Sequence, residues 1–200
     1  MNDLDKIFQE IKTDPENEDF EAQGIDPLYS AYPEAKICFI GQAPGRIAQE
    51  KALYWDDPSG DCLREWTGIS RTEFYNSRKI AIVPMDFYFP GKGKSGDLPP
   101  RKDFAGKWHP QIFKQMPDIK IFILIGNYAQ KYYLNLKSNQ NSTEVIKNYN
   151  KYLSKGFFPI VHPSPRNNIW LAKNKWFEAD VVPEIKKIIR KALDDLSNFD

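Results

Sequence analysis

The 200 residues include only two cysteines and two histidines, and that scarcity excludes much at once. Cys38 and Cys62 stand 24 positions apart, a spacing that suits neither a zinc site nor an iron–sulfur cluster, and one pair implies no disulfide framework. No metal and no other cofactor is expected. Nor does any run approach the roughly 18 apolar residues of a membrane span. The N-terminus MNDLDKIFQE is acidic and lacks the apolar centre of a signal peptide. These absences lead us to expect a cytoplasmic protein, and a monomer.

Prolines and aromatics are plentiful instead. Fifteen prolines accompany five Trp, ten Tyr and thirteen Phe, a composition of long ordered loops and flat side chains that suits a binding surface. The net charge of +1 conceals an asymmetry: residues 1–35 carry ten Asp or Glu against Lys6 and Lys12, a balance of −8, which leaves +9 on the rest. A basic body is the electrostatic footprint of a phosphate-backbone binder.

Four short apolar runs read as strands, at 36–40, 79–83, 120–125 and 157–161, the last with Pro159 and therefore at a sheet edge. Helical spacing appears at 4–11, 59–68 (with Ser59 as N-cap and Gly68 closing), 108–116, 127–134, 143–153 and 182–196, the last with Leu196 on its apolar face. Residues 13–33 read as an irregular arm. Continuous apolar strands alternating with helices predict a three-layer α/β/α sandwich around a central, mainly parallel four-stranded sheet. The expected organisation is an acidic helix and arm over 1–35 packed on a domain of residues 36–200.

In such folds ligands bind where strands end. Gly41-Gln42-Ala43-Pro44-Gly45 follows the first strand, and its glycines permit close backbone approach while Pro44 fixes the turn. His162-Pro163-Ser164-Pro165-Arg166-Asn167 follows the fourth, where two prolines make a rigid frame for an imidazole and a guanidinium. Between them runs Phe89-Pro90-Gly91-Lys92-Gly93-Lys94-Ser95-Gly96-Asp97. Its Gly-Lys-Ser imitates the end of a P-loop, but position 88 is Tyr where a glycine is required, and Pro99-Pro100-Arg101 follows instead of a helix. Lys92, Lys94, Arg101 and Lys102 are instead expected to contact phosphates. His109 is expected to be structural.

Together these loops resemble the uracil-DNA glycosylase superfamily, over roughly residues 36–190. The first loop is similar to that of the iron–sulfur branch, and HPSPRN followed by Lys175-Trp176 is similar to the single-strand-selective monofunctional branch. The loop at 90–101 resembles the PG-x-G-K-x-G-D-x-P-P-R segment of bacterial uracil-DNA glycosylase-like proteins. The resemblance implies a monofunctional glycosylase acting on DNA, on uracil or a related deaminated base flipped from the stack. It places His162 as donor to the departing base and Gly41, Gln42 and Ala43 around that base. Trp55 stacks under it, with Tyr54 as second candidate. Pro44, Gly45, Ser164, Arg166 and Asn167 lie against the DNA, with Arg166 filling the vacated stack.

Three departures qualify the resemblance. The position that orients water in several branches is Ala43, as it also is in the iron–sulfur branch. Asp56, Asp57, Asp61 and Asp86 are carboxylates that could substitute, and Asp86, at a strand end, is the one selected. Where relatives read uracil with an asparagine, this chain has Val83-Pro84-Met85-Asp86, and the iron–sulfur cysteines are missing. A module of the same fold that binds a base or nucleic acid with weak or no catalysis is the alternative expectation.

Overall fold

The computed structural model describes residues 2–137 and 139–194. Four parallel strands, β1 (Ile37–Ile40), β2 (Ile80–Ile82), β3 (Ile121–Ile125) and β4 (Phe157–Ile160), form one sheet in the order β2-β1-β3-β4. Ile37 aligns with both Ile80 and Ile121, and Phe122 with Phe157, so all four strands end at one rim. β4 lies at an edge, where Pro159 costs no ladder hydrogen bond on its open side.

Side chains alternate between the two faces, and each face is sealed by helices. Ile37, Phe39, Ile80, Ile82, Ile123 and Phe158 pack under the helices Pro58–Thr67 and Val182–Leu193 through Leu63, Trp66, Ile185 and Ile189. Cys38, Ile40, Ala81, Val83 and Leu124 pack on the opposite side against Ile11, Trp108, Ile112 and Ala129, from the helices Asp3–Lys12, Phe104–Lys114 and Asn127–Tyr133. This is the three-layer sandwich that the alternation of apolar runs implied.

Several boundaries differ from the sequence expectation. The helix after Trp55 is capped by Asp57, whose carboxylate accepts from Gly60 N–H, with Pro58 as first helical residue; Ser59 is not the cap. Gly68 closes it in the left-handed conformation, as expected (φ 67°). The expected 143–153 helix divides into Ser142–Lys147 and Asn150–Leu153, and the 108–116 helix begins earlier, at Phe104. Leu196 lies outside the described residues.

The arm is more ordered than its composition suggested. It contains the turn Pro15–Asn17 and the helix Glu18–Ala22. Ser30 then pairs antiparallel with Ile82, covering the outer edge of β2, and Leu28 N–H donates to Phe87 O at 2.8 Å.

Candidate active site

The loops leaving β1, β2 and β4 line one cleft of about 800 Å³ with the segment around Trp55. It gathers Gly41, Gln42, Ala43, Pro44, Gly45, Trp55, Lys92, His162, Ser164, Arg166 and Asn167 from four separate stretches of sequence.

The first loop presents backbone. Val83 N–H donates to Phe39 O (2.9 Å), Met85 N–H to Gly41 O (2.9 Å) and Asp86 N–H to Gln42 O (3.1 Å), so pairing with the β2 side continues past both strand ends. In a trans peptide the N–H opposes the C=O. The N–H groups of Gln42 and Ala43 therefore point away from β2, and among the described residues neither has a protein acceptor, leaving two donors on residues that line the cleft. The Gln42 side chain donates to Leu98 O at 2.7 Å, tying this loop to the Gly-rich segment.

Trp55 is held in place by its backbone. Its φ is +56°, a conformation rare for a bulky residue, and the surroundings enforce it. Arg64, 6% exposed, donates to Trp55 O at 3.0 Å and is itself fixed by Asp61 and the faces of Phe74 and Tyr75. Gly60 leaves room for that carbonyl, since a Cβ there would stand 1.8 Å from Trp55 O. The indole consequently lies over the bare α-carbon of Gly41, with its centroid 5.5 Å from the His162 ring. Tyr54 also lines the cleft but packs on Tyr75.

His162 is half-buried, and burial depresses its pKa below the usual histidine value while the nearby Asp57 carboxylate acts in the opposite sense. The ring is thus neutral at neutral pH, with one N–H donor and one acceptor. Three hydrogen bonds tie its loop: Asn167 Nδ2 donates to His162 O (2.7 Å), Arg166 N–H to Ser164 Oγ (3.3 Å) and Asn167 N–H to Ser164 O (2.8 Å). Gly126 (φ 78°) passes beside the imidazole, where an added Cβ would come within 3.8 Å of His162 Cβ. Arg166 is exposed beside Gly96, and Ile169, 72% exposed, follows one turn later.

The Gly-rich segment is a small hairpin. Gly93 N–H donates to Gly96 O (2.8 Å), Leu98 N–H to Gly91 O (2.9 Å), and Lys92 pairs with Asp97 (3.3 Å). Gly91 and Gly96 take φ of 97° and 93°, which side chains other than glycine rarely adopt. The hairpin touches both motif loops, through Leu98 O at Gln42 and Gly96 at Arg166. Lys94 is exposed on it and does not line the cleft.

Asp86 and Arg101 stand apart from the cleft and bind each other. Asp86 is 1% exposed and lies outside the cleft, beside a smaller cavity shared with Arg101 and Lys102. Its carboxylate accepts from Arg101 Nε and Nη2 (2.8 Å each) and from the N–H of Arg101 and Tyr88 (3.1 Å each). Arg101 spends its remaining donor on Asn17 Oδ1 (2.6 Å) and Glu16 O (3.1 Å), above the Phe104 ring. The four acceptor positions of the Asp86 carboxylate are filled, and four of the five side-chain N–H donors of Arg101 are engaged. Among the other carboxylates, Asp61 serves Arg64 and Asp56 serves Arg71 and Lys51. Asp57 caps a helix with one oxygen, lines the cleft and acts on His162. Leu28 of the arm and Tyr128 after β3 also line the cleft and were not foreseen; a single Leu or Tyr in a loop carries no signal of its own.

Among the described residues no group of His, Cys, Asp and Glu could hold a metal ion, and no helix is long and apolar enough to cross a membrane. An iron–sulfur cluster takes four ligands, and the residues do not fit one. Cys38 is fully buried in β1, and Cys62 is half-buried with its thiol pushed up to about 11. In comparison with known families, residues 29–186 match the model of the Uracil DNA glycosylase superfamily, a span that includes the whole sheet and every residue of the cleft except Leu28. That match covers well over half of the 200 residues, and the chain belongs to the uracil DNA glycosylase superfamily.

Proposed function

We propose that the cleft hydrolyses the N-glycosidic bond of uracil, or of a related deaminated base, after that base has left the DNA stack. The observation that carries this reading is convergence: the neutral His162 imidazole, the Trp55 face and the unpaired N–H groups of Gln42 and Ala43 meet in one cleft. A flipped base stacks on Trp55 while the two backbone donors meet a carbonyl oxygen. As the glycosidic bond breaks, its electron pair passes to the base, and the His162 N–H donates to the oxygen where that charge collects. Donors placed where charge develops are each worth roughly 2.7–4 kcal/mol of barrier. Water adds to the sugar C1′, and its proton passes to the departing base anion, leaving an abasic sugar and a neutral base. Asp57, close enough to influence His162, stabilises the cationic sugar and orients that water. Ser164, Arg166, Asn167, Pro44 and Gly45 border the DNA, and Lys92, Lys94 and Lys102 supply phosphate contacts.

A second reading has its own observation, Ala43 at the position that orients water in several branches. The same cleft then binds a base without cleaving it. Labelled single- and double-stranded oligonucleotides bearing uracil, hypoxanthine or xanthine, treated with alkali after incubation, separate the two. Strand breaks made by the wild type and lost in His162→Ala support hydrolysis. Binding without breaks on every substrate assigns the cleft to recognition alone.

A further inference from the structure

His109 takes no part in the chemistry above, yet it is 2% exposed and makes two hydrogen bonds in a site that can order its protons. Nε2 lies 2.9 Å from Pro84 O, and Nδ1 is hydrogen-bonded to the Tyr133 hydroxyl. A carbonyl oxygen only accepts, so Nε2 carries the proton. Nδ1 is then a lone pair, and the Tyr133 O–H donates to it. The ring cannot turn to relax this assignment. It packs parallel to Phe87 (5.8 Å, 17°), with Phe113 at 5.1 Å, while Tyr133 (6.0 Å, 12°) meets it edge-on through the hydroxyl.

The far end of this chain is a wall of the cleft. Pro84, like Ile82 before it, lines the cleft at the end of β2, and as a proline it has no N–H to anchor it. Its carbonyl is its one polar attachment. On either side, Val83 N–H and Met85 N–H hold Phe39 O and Gly41 O, and Asp86 N–H holds Gln42 O. A shift of Pro84 therefore moves the loop that presents the Gln42 and Ala43 donors.

We infer that His109 and Tyr133 are positioning residues that fix the Pro84 carbonyl through one imidazole tautomer, and so set the width of the cleft at the end of β2. Burial keeps the imidazole neutral and so preserves the single donor that the arrangement needs. The consequence for base selection rests on the glycosylase reading; the structural consequence does not.

Tyr133→Phe tests it with little change in volume. Removing the hydroxyl strands the Nδ1 lone pair while the proton stays on Nε2 toward Pro84 O, so the ring loses the second bond that sets its position and its hold on Pro84 O loosens. The imidazole nitrogen spectrum of the wild type should show only the Nε2–H tautomer. Amide exchange at Met85 and Asp86 should quicken at least tenfold in Tyr133→Phe. In His109→Gln, whose side-chain amide can donate to Pro84 O, exchange should stay within threefold of wild type. On a uracil oligonucleotide Tyr133→Phe should raise KM several-fold with kcat nearly unchanged. Unaltered Met85 and Asp86 exchange in Tyr133→Phe, or a wild-type Nδ1–H tautomer, overturns the inference. If the wild type cleaves no substrate, the exchange and tautomer results still decide this proposal, and the lost activity counts against the glycosylase reading alone.

Discussion

Arg101→Ala separates two roles that its sequence context left undivided. A phosphate contact would be lost with no effect on folding. In the structure, Arg101 instead supplies three of the four donors to a carboxylate that is 1% exposed, and joins it to Asn17 of the arm. Truncation removes two of those donors and leaves Asp86 with backbone N–H groups alone. Breaking a buried ion pair from one side costs about 3–5 kcal/mol. The guanidinium side chain retains 29% exposure, so water can partly replace it, and we expect the lower end, about 3 kcal/mol. For a chain of this length each kcal/mol moves Tm by roughly 2–4 °C, giving a fall of about 6–12 °C. Asp86→Ala should cost a similar amount, and the double variant less than the sum, with a coupling of roughly 2 kcal/mol in a denaturant-based cycle. The salt dependence of DNA binding should be unchanged. A Tm within 2 °C of wild type, together with a shallower salt slope, would refute the clamp and restore the phosphate contact.

Three further outcomes follow from single features. Gly60→Ala places a Cβ against the Trp55 carbonyl, where a backbone cannot yield cheaply, so stability should drop by at least about 1–3 kcal/mol. Indole fluorescence should report displacement of Trp55, and an unperturbed spectrum would contradict the packing. Lys94→Ala should reduce the slope of log K against log salt by about 0.9 on duplex or 0.7 on single strands; an unaltered slope removes Lys94 from the interface. Acid should destabilise the fold through His109, whose pKa burial depresses to about 4 from an ordinary 6.5. Between those values the unfolded chain binds the proton and the folded chain does not. Stability is therefore complete above pH 6.5 and falls as pH drops, by about 3 kcal/mol at pH 4. Urea titrations at pH 7, 5.5 and 4 should show this decline reduced by that amount in His109→Gln; parallel curves in both proteins would contradict it.

How much was legible in the sequence follows from which forces act locally. Ile37–Ile40 and Ile121–Ile125 are unbroken apolar runs because both sheet faces are covered, and such runs announce a parallel sheet. Both motif loops were legible for the same reason, since each begins where an apolar run stops. The helix Arg71–Asn76 was not, because fewer than two turns carry too few apolar positions to show a period. Asp86 was misread because its partner Arg101 lies fifteen residues on, and only the closed loop brings the two together. Asp57 could not be ranked above Asp56 and Asp61 before their arginine partners were seen. The left-handed turn at Trp55 depends on Gly60 and Arg64 acting jointly, and no local pattern encodes that.

The account stands most directly on His162. Single-turnover release of uracil from an oligonucleotide should fall about 10²–10³-fold in His162→Ala, the loss of one donor at the developing negative charge. Tm and oligonucleotide affinity should stay close to wild type, since the ring makes no hydrogen bond that closes its own loop. Equal rates in the two proteins, or no release by the wild type on any strand form, would contradict the claim that this cleft is the catalytic centre.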